Sequence, residues 1–333
     1  MSNFITSLIF KRLLALGLLL ICSSHAIAET ADAAAVRKRF FDNIDAAGIE
    51  MQLKRHHVKA EPISLVKNVY YLVKPDGGRA GIVNADGTIF GRGDFYNTID
   101  GNIARRLTPN EQKAFAQKIV ADIRYDKLIR MDYGRGGNRK ILVYSAVDCS
   151  SCAKFEDDLA QSSRAGKLNT SLYVLPIALR SIRDGATTEW GAVAAIHCNG
   201  NPAAAWAAYW EGVKARRGYP INRTSCSPKQ LDDDRIHLQV ILKSVGISLN
   251  GTPVLLFEDG TTTHILDGNF RKLRDDAKPA LLGNAVARAS DNGESSPADT
   301  PLPDPVNAIN EATGAVGNAV GGFLKGIGDQ LMK

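Results

Sequence analysis

The sequence predicts an α/β protein preceded by a smaller unit of one helix and several strands. Three observations carry this. From Lys140 onward, apolar strand-like runs alternate with helical segments. Ahead of that, short β-rich runs divided by turn signals follow a single amphipathic helix. Between the two, Thr108-Pro109-Asn110-Glu111 opens a helix with a capping residue, a proline in the first turn and a glutamate in capping-box position.

The elements follow in order. Residues 31–47 place Val36, Phe40 and Ile44 on one helical face. Ser64–Val73 is rich in β-formers, Pro75-Asp-Gly-Gly78 is a turn, Gly81–Val83 a short strand, and Asp86-Gly87 a second turn leading into Thr88–Phe90. Residues 29–105 form this front unit. The helix from Thr108 runs to about Tyr125 and serves, over 106–128, as a linker. Residues 129–289 make the larger unit: a near-continuous apolar strand at Ile141–Val147, a helix after Cys149, a strand at Ser171–Ile177, a helical insertion over about 185–245, a strand at Pro253–Phe257, a hairpin turn at Asp259-Gly260 into Thr261–Leu266, and a closing helix from Phe270 to Arg288 that Pro279 kinks or divides. A strand–helix–strand start and a hairpin–helix finish, with helices inserted between, is a thioredoxin-like plan.

The ends of the chain have different composition. Lys11 and Arg12 precede the apolar run Leu13–Ile21 and a small-residue stretch ending Ala26-Ile-Ala28, the layout of a cleaved export signal over residues 1–28. Lipidation at Cys22 is a minor reading because Ile21 before it is not small, and an uncleaved anchor is another. Residues 290–305, rich in Ser, Pro and Asp, read as a flexible linker. Residues 306–333 are an amphipathic tail rich in Gly and Ala, whose Glu311, Lys325, Asp329 and Lys333 sum to zero charge. A weak partner-binding helix, disorder and weak lipid association all stay open for it. The formal net charge of +6 over 333 residues is only mildly basic, and no stretch interleaves cations with aromatics, so nucleic acid is not an expected partner.

Five cysteines are present, and Cys22 leaves with the signal. Cys149 and Cys152 form a Cys-x-x-Cys at a strand-to-helix junction. The first sulfur then sits at a helix N-terminus, where free N–H groups and the helix dipole favour a thiolate, and the second lies one turn in, placed to resolve a mixed disulfide. Cys149 is thus the candidate nucleophile and Cys152 the resolving thiol. Zinc needs two more ligands at tight spacing, and Cys198, His197 and Cys226 are too far along the chain. No metal and no cofactor is expected. Cys198 and Cys226 have no partner in redox spacing and should form a structural disulfide in an oxidising compartment, with a second catalytic pair as the alternative. Thr252-Pro253 precedes an apolar strand. In a thioredoxin-like fold this is where a cis-proline faces the redox pair and offers the Thr252 backbone as a docking edge for an extended substrate; a trans proline opening an edge strand is the alternative. His56-His57 reads as a surface pair, and Trp190, Trp206 and Trp210 as packing within the insertion.

In combination these residues resemble the periplasmic thiol–disulfide isomerases of the DsbC and DsbG type. Ile141–Val147 with Asp148-Cys149-Ser-Ser-Cys152 is similar to that family's active-site strand and helix, Ala195-Ile-His-Cys198 and Thr224-Ser-Cys226 to the halves of its structural disulfide, and Val245–Val254 to its cis-proline loop, with the threonine typical of isomerases. Residues 62–99, including Gly91-Arg-Gly-Asp-Phe-Tyr96, resemble its cystatin-like front domain. The resemblance implies a cystatin-like dimerisation domain, a homodimer, periplasmic location, and disulfide isomerase or reductase activity on misoxidised exported proteins, with a membrane thiol reductase keeping the pair reduced. A disulfide-donating oxidase and a non-enzymatic, chaperone-like binding module are the alternatives. Two departures stand out. Ala146 occupies the position three before Cys149 where the family usually has an aspartate, and residues 290–333 have no counterpart in it.

Overall fold

The computed structural model describes residues 29–46, 57–98, 105–217, 226–265 and 268. The expected export signal, His56, the closing helix with Pro279, the linker and the tail lie outside the described residues. Two sheets carry the architecture. The first is an antiparallel meander in the order β1–β2–β3–β4–β5–β6, formed by Lys59–Pro62, Val69–Val73, Arg79–Asn84, Ile89–Arg92, Asp94–Asn97 and Arg105–Arg106. Alternation sends successive side chains of these strands to opposite faces, and each face has its own core. Helix α1 (Ala31–Ala46) buries Val36, Phe40 and Ile44 against Ala60, Leu72, Val83 and Phe90 on one face. The Phe40 and Phe90 rings meet at 5.0 Å. Glu29 ties the start of α1 to β1 by pairing with Arg37 at 2.8 Å and accepting the Ala60 N–H at 2.8 Å. The β3–β4 turn passes so close to α1 that a Cβ on Gly87, which has φ +71°, would fall 2.5 Å from the Phe40 nitrogen; only glycine fits there.

The opposite face presents Tyr71, Ile82 and Phe95 to helix α2 (Pro109–Ala121), and this core runs on without a break into the second sheet. The Thr108 cap forms as its spacing predicts: its hydroxyl accepts the Glu111 N–H at 3.4 Å and its own N–H donates to the Glu111 carboxylate at 2.8 Å. Two elements differ from expectation here. Ser64–Val73 is not one strand, because Asn68 adopts φ +58° and breaks it. Helix α2 ends at Ala121 rather than Tyr125, because residues 122–124 pair with 65–67: Lys67 N–H donates to the Asp122 carbonyl and Arg124 N–H to the Leu65 carbonyl, each at 2.8 Å.

The second sheet has the order β11–β10–β8–β9–β7, with β7 Ile129–Tyr133, β8 Ile141–Ala146, β9 Thr170–Ile177, β10 Val254–Leu256 and β11 Thr262–His264. Among the described residues only β8 and β9 are parallel, joined by helix α3 (Ser150–Arg164). β8 is central and buried along its whole length, which is why it reads as an unbroken apolar run. Between β9 and β10 the expected helical insertion resolves into α4 (Thr187–His197), α5 (Pro202–Lys214) and α6 (Pro228–Ser244). Asn201 and Ser227 cap the last two, each followed by proline in the first turn. Cys198, at the end of α4, is disulfide-bonded to Cys226, just ahead of α6, across a separation of 28 residues that contains α5. The result is a mixed α/β protein, consistent with a thioredoxin-like fold.

The two sheets also meet through side chains. The Tyr71 hydroxyl donates to the His237 carbonyl of α6 at 3.4 Å, the Arg79 guanidinium lies 4.4 Å from the Tyr71 ring centroid, and the same guanidinium bonds His237 Nε2. Among the described residues no helix is long and apolar enough to cross a membrane.

Candidate redox site

Strand β8 ends at Ala146, and three residues later Cys149 caps helix α3. Cys149 has extended backbone geometry (φ −112°, ψ 120°), and its sulfur accepts the Cys152 N–H at 3.2 Å. Sulfur thus fills the place that a serine or aspartate oxygen usually takes at a helix start. A thiolate at this atom faces the positive end of the helix dipole. Cys149 is half-buried; Cys152, one turn in, is fully buried. Burial, together with its contact to Cys149, pushes the Cys152 thiol up to about 12, although the Thr252 side chain and the Ala146 N–H, 3.4 Å from its sulfur, pull the other way. Cys152 therefore stays protonated at neutral pH. The two thiols differ both in access and in charge.

The peptide bond between Thr252 and Pro253 is cis, and this loop lies across from the pair. The Cys149 thiol donates to the Thr252 carbonyl at 3.5 Å. Gly268, with φ +65°, approaches the first turn of α3 so closely that a Cβ would lie 2.4 Å from the Ser151 carbonyl. The structure thus brings together Cys149, Cys152, Thr252 and Pro253, and keeps Cys198 and Cys226 apart from them as a separate bonded pair. Ala146, where the resembled family has a carboxylate, is buried and contributes backbone groups alone, its N–H to Cys152 and its carbonyl to the Cys149 N–H.

Two polar residues of this region were not singled out by sequence. Glu156 lies one turn beyond Cys152 on the buried face of α3, and its Oε1 has no hydrogen-bond partner among the described residues. Burial raises its pKa to about 8, with Trp206 opposing, and its charge acts on Tyr133 of β7. The spacing Cys152, Phe155, Glu156, Leu159 contained that signal. Tyr209 of α5 donates to the Val147 carbonyl at 2.7 Å, a long-range contact with no local sequence signature. Among the described residues no cluster of three or more His, Cys, Asp or Glu is placed to hold a metal ion.

Fold and site together define a mixed α/β protein with an asymmetric Cys-x-x-Cys pair at a helix N-terminus, faced by a cis-proline loop. No family model matches the chain, and no curated protein matches it. Among solved structures it is similar to a disulfide interchange protein from Neisseria gonorrhoeae, at 21% identity and TM-score 0.31 over 45% of this chain and 97% of that one. It is also similar to Helicobacter pylori DsbG, at 12% identity and TM-score 0.31 over 60% and 93%. A third is MdbA, a thiol-disulfide oxidoreductase from Actinomyces oris, at 14% identity and TM-score 0.26 over 45% and 88%.

Proposed function

We propose that the protein performs thiol–disulfide exchange on exported proteins, as a disulfide isomerase and reductase. The observation that carries this is the asymmetry of the pair: a half-buried Cys149 sulfur held at the start of α3 beside a buried Cys152 kept as a thiol. The Cys149 thiolate attacks one sulfur of a substrate disulfide. A Cys149–substrate disulfide forms and the other substrate sulfur leaves as a thiolate, which takes up a proton. If that substrate sulfur then attacks a different disulfide of its own chain, and the thiolate released from that second disulfide attacks the mixed disulfide and displaces Cys149 as a thiolate, pairing is rearranged without net redox change. If Cys152 loses its proton and attacks the Cys149 sulfur instead, the substrate departs reduced and a Cys149–Cys152 disulfide remains, which a membrane thiol reductase must return to the dithiol by supplying two electrons. The Thr252 carbonyl beside Cys149 supports docking of an extended substrate at this edge. The signal-like layout of the sequence over residues 1–28 supports a periplasmic location, and the front meander with α1 is the proposed cystatin-like dimerisation domain of a homodimer.

Refolding of a substrate with scrambled disulfides tests the reading. Cys149→Ser should abolish it, and Cys152→Ser should accumulate mixed disulfides because the resolving thiol is gone. Equal trapping by both variants would overturn the assigned roles. A pair found oxidised at steady state in its own compartment would favour the disulfide-donor reading over isomerisation.

A further inference from the structure

The geometry points to Tyr209 as a positioning residue that sets the reactivity of Cys149 from the helical insertion; this rests on the exchange reading and deepens it. Tyr209 belongs to α5, which is neither part of the sheet nor of α3. Its hydroxyl donates to the Val147 carbonyl, 2.7 Å away and two residues ahead of Cys149. Val147 is buried, and its N–H donates to the Ile177 carbonyl at 2.9 Å, so its amide is held by β9 and its carbonyl by α5. The next residue is held as well: the Asp148 carboxylate accepts the Leu179 N–H at 2.9 Å. The Cys149 N–H then turns back to the Ala146 carbonyl at 3.3 Å. Residues 147 and 148 are thus fastened to β9, to Leu179 just beyond it and to α5, and among the described residues the Tyr209 contact is the one that comes from the insertion.

The ring that makes this contact is itself fixed. It stacks on Trp206 at 6.4 Å with 17° between planes and meets Trp210 edge-on at 5.1 Å, both of them buried. Burial, with Asp148 and Glu189 adding to it, pushes the phenol up to about 12, so the hydroxyl remains a donor wherever the enzyme works.

The chemical consequence concerns the sulfur. A Cys149 thiolate is stabilised by the Cys152 N–H only while the backbone at 147–149 keeps its orientation. With the Val147 carbonyl released, the Val147–Asp148 peptide plane is free to turn and the sulfur drifts from the helix N-terminus. The thiolate loses its donor and the stabilisation that came with it.

The test is Tyr209→Phe in the full-length protein, a change that keeps the ring and its packing on both tryptophans. Three quantities are read for wild type and variant: the pH profile of Cys149 alkylation, the rate of scrambled-substrate refolding at neutral pH, and the thermal midpoint. The alkylation profile should move to higher pH by about half a unit or more, a threefold change in the ionisation constant. Refolding should slow by roughly threefold to tenfold. An unchanged alkylation profile, whether or not the midpoint falls, would show that Tyr209 only supports the fold and would overturn the inference. A wild-type protein whose Cys149 titrates but does not exchange with disulfides would instead overturn the exchange reading itself.

Discussion

Glu156 is the residue whose chemistry is most at odds with its surroundings. It is a carboxyl group inside the core, with one oxygen unpartnered among the described residues and its pKa raised to about 8 by burial. Between the ordinary carboxylate value of 4.5 and 8 the folded protein holds a proton that the unfolded chain releases. Stability from this site is therefore fully present below pH 4.5, declines as pH rises and is lost above 8. Glu156→Gln keeps the shape and removes the charge. It should raise the thermal midpoint by a few degrees above pH 8, with the gain vanishing towards pH 4, as followed by thermal unfolding across pH. A gain equal at all pH values would mean that packing, not ionisation, sets the effect. At this scale the sequence was most legible where chemistry is local. Cys149 and Cys152 need only their spacing and a helix start. Glu156 was legible only through its helical spacing with Cys152, Phe155 and Leu159, against the rule that a lone glutamate on a helix is ordinarily solvated, and Tyr209 was hidden because its partner lies 62 positions away in the chain.

Among elements, the insertion is held in a way that invites a direct measurement. The Cys198–Cys226 bond closes a 28-residue span around α5, while Trp190, Trp206 and Trp210 are buried beneath the three helices. The bond restricts the unfolded chain and the tryptophans hold the folded one. Replacing both cysteines by alanine should cost roughly 2–4 kcal/mol, seen as a lower denaturant midpoint, with refolding of scrambled substrate still measurable. Loss of all exchange with native far-ultraviolet circular dichroism would show that the bond itself takes part in the chemistry. Long elements with strong local signals were readable: β8 by its apolar run, α2 by its capping box. Short or edge elements were not. Ile129-Arg-Met-Asp-Tyr133 mixes charges into an edge strand, and β6 has two residues, so each forms only because a neighbouring strand is already in place. The division of residues 185–245 into three helices was written in Asn201-Pro202 and Ser227-Pro228.

At the scale of the whole molecule, the contact between the front sheet and α6 depends on the charge of one histidine. Arginine only donates hydrogen bonds, so His237 Nε2 accepts from Arg79 and the ring is neutral. Burial first, then Arg79, lowers the His237 pKa; Lys229 adds to this, and Asp234 and Asp233 oppose it. A base with a lowered folded value contributes stability that is complete above its unfolded value, about 6.5, and is lost as pH falls through the folded one. Burial lowers His197 as well, so the trend is shared. His237→Gln retains an acceptor for Arg79 without a titrating proton. Between pH 7 and pH 5, where Glu156 acts in the opposite sense, the thermal midpoint of the variant should gain on that of the wild type as pH falls. A difference between the two that stays constant across this range would show that the His237 proton does not govern the contact. No sequence pattern announced this contact, since Arg79 and His237 meet only once both halves are folded.

The two faces of the front sheet carry a last consequence. One face is sealed by α1, while the other is continuous with the core of the larger half. Departure of α1 would leave Tyr71, Ile82 and Phe95 in place and uncover Ala60, Leu72, Val83 and Phe90 as a single oily patch. Loss of α1 alone would thus give a nearly native form adhesive on one side only, from which self-association would need the release of one helix rather than unfolding of the protein.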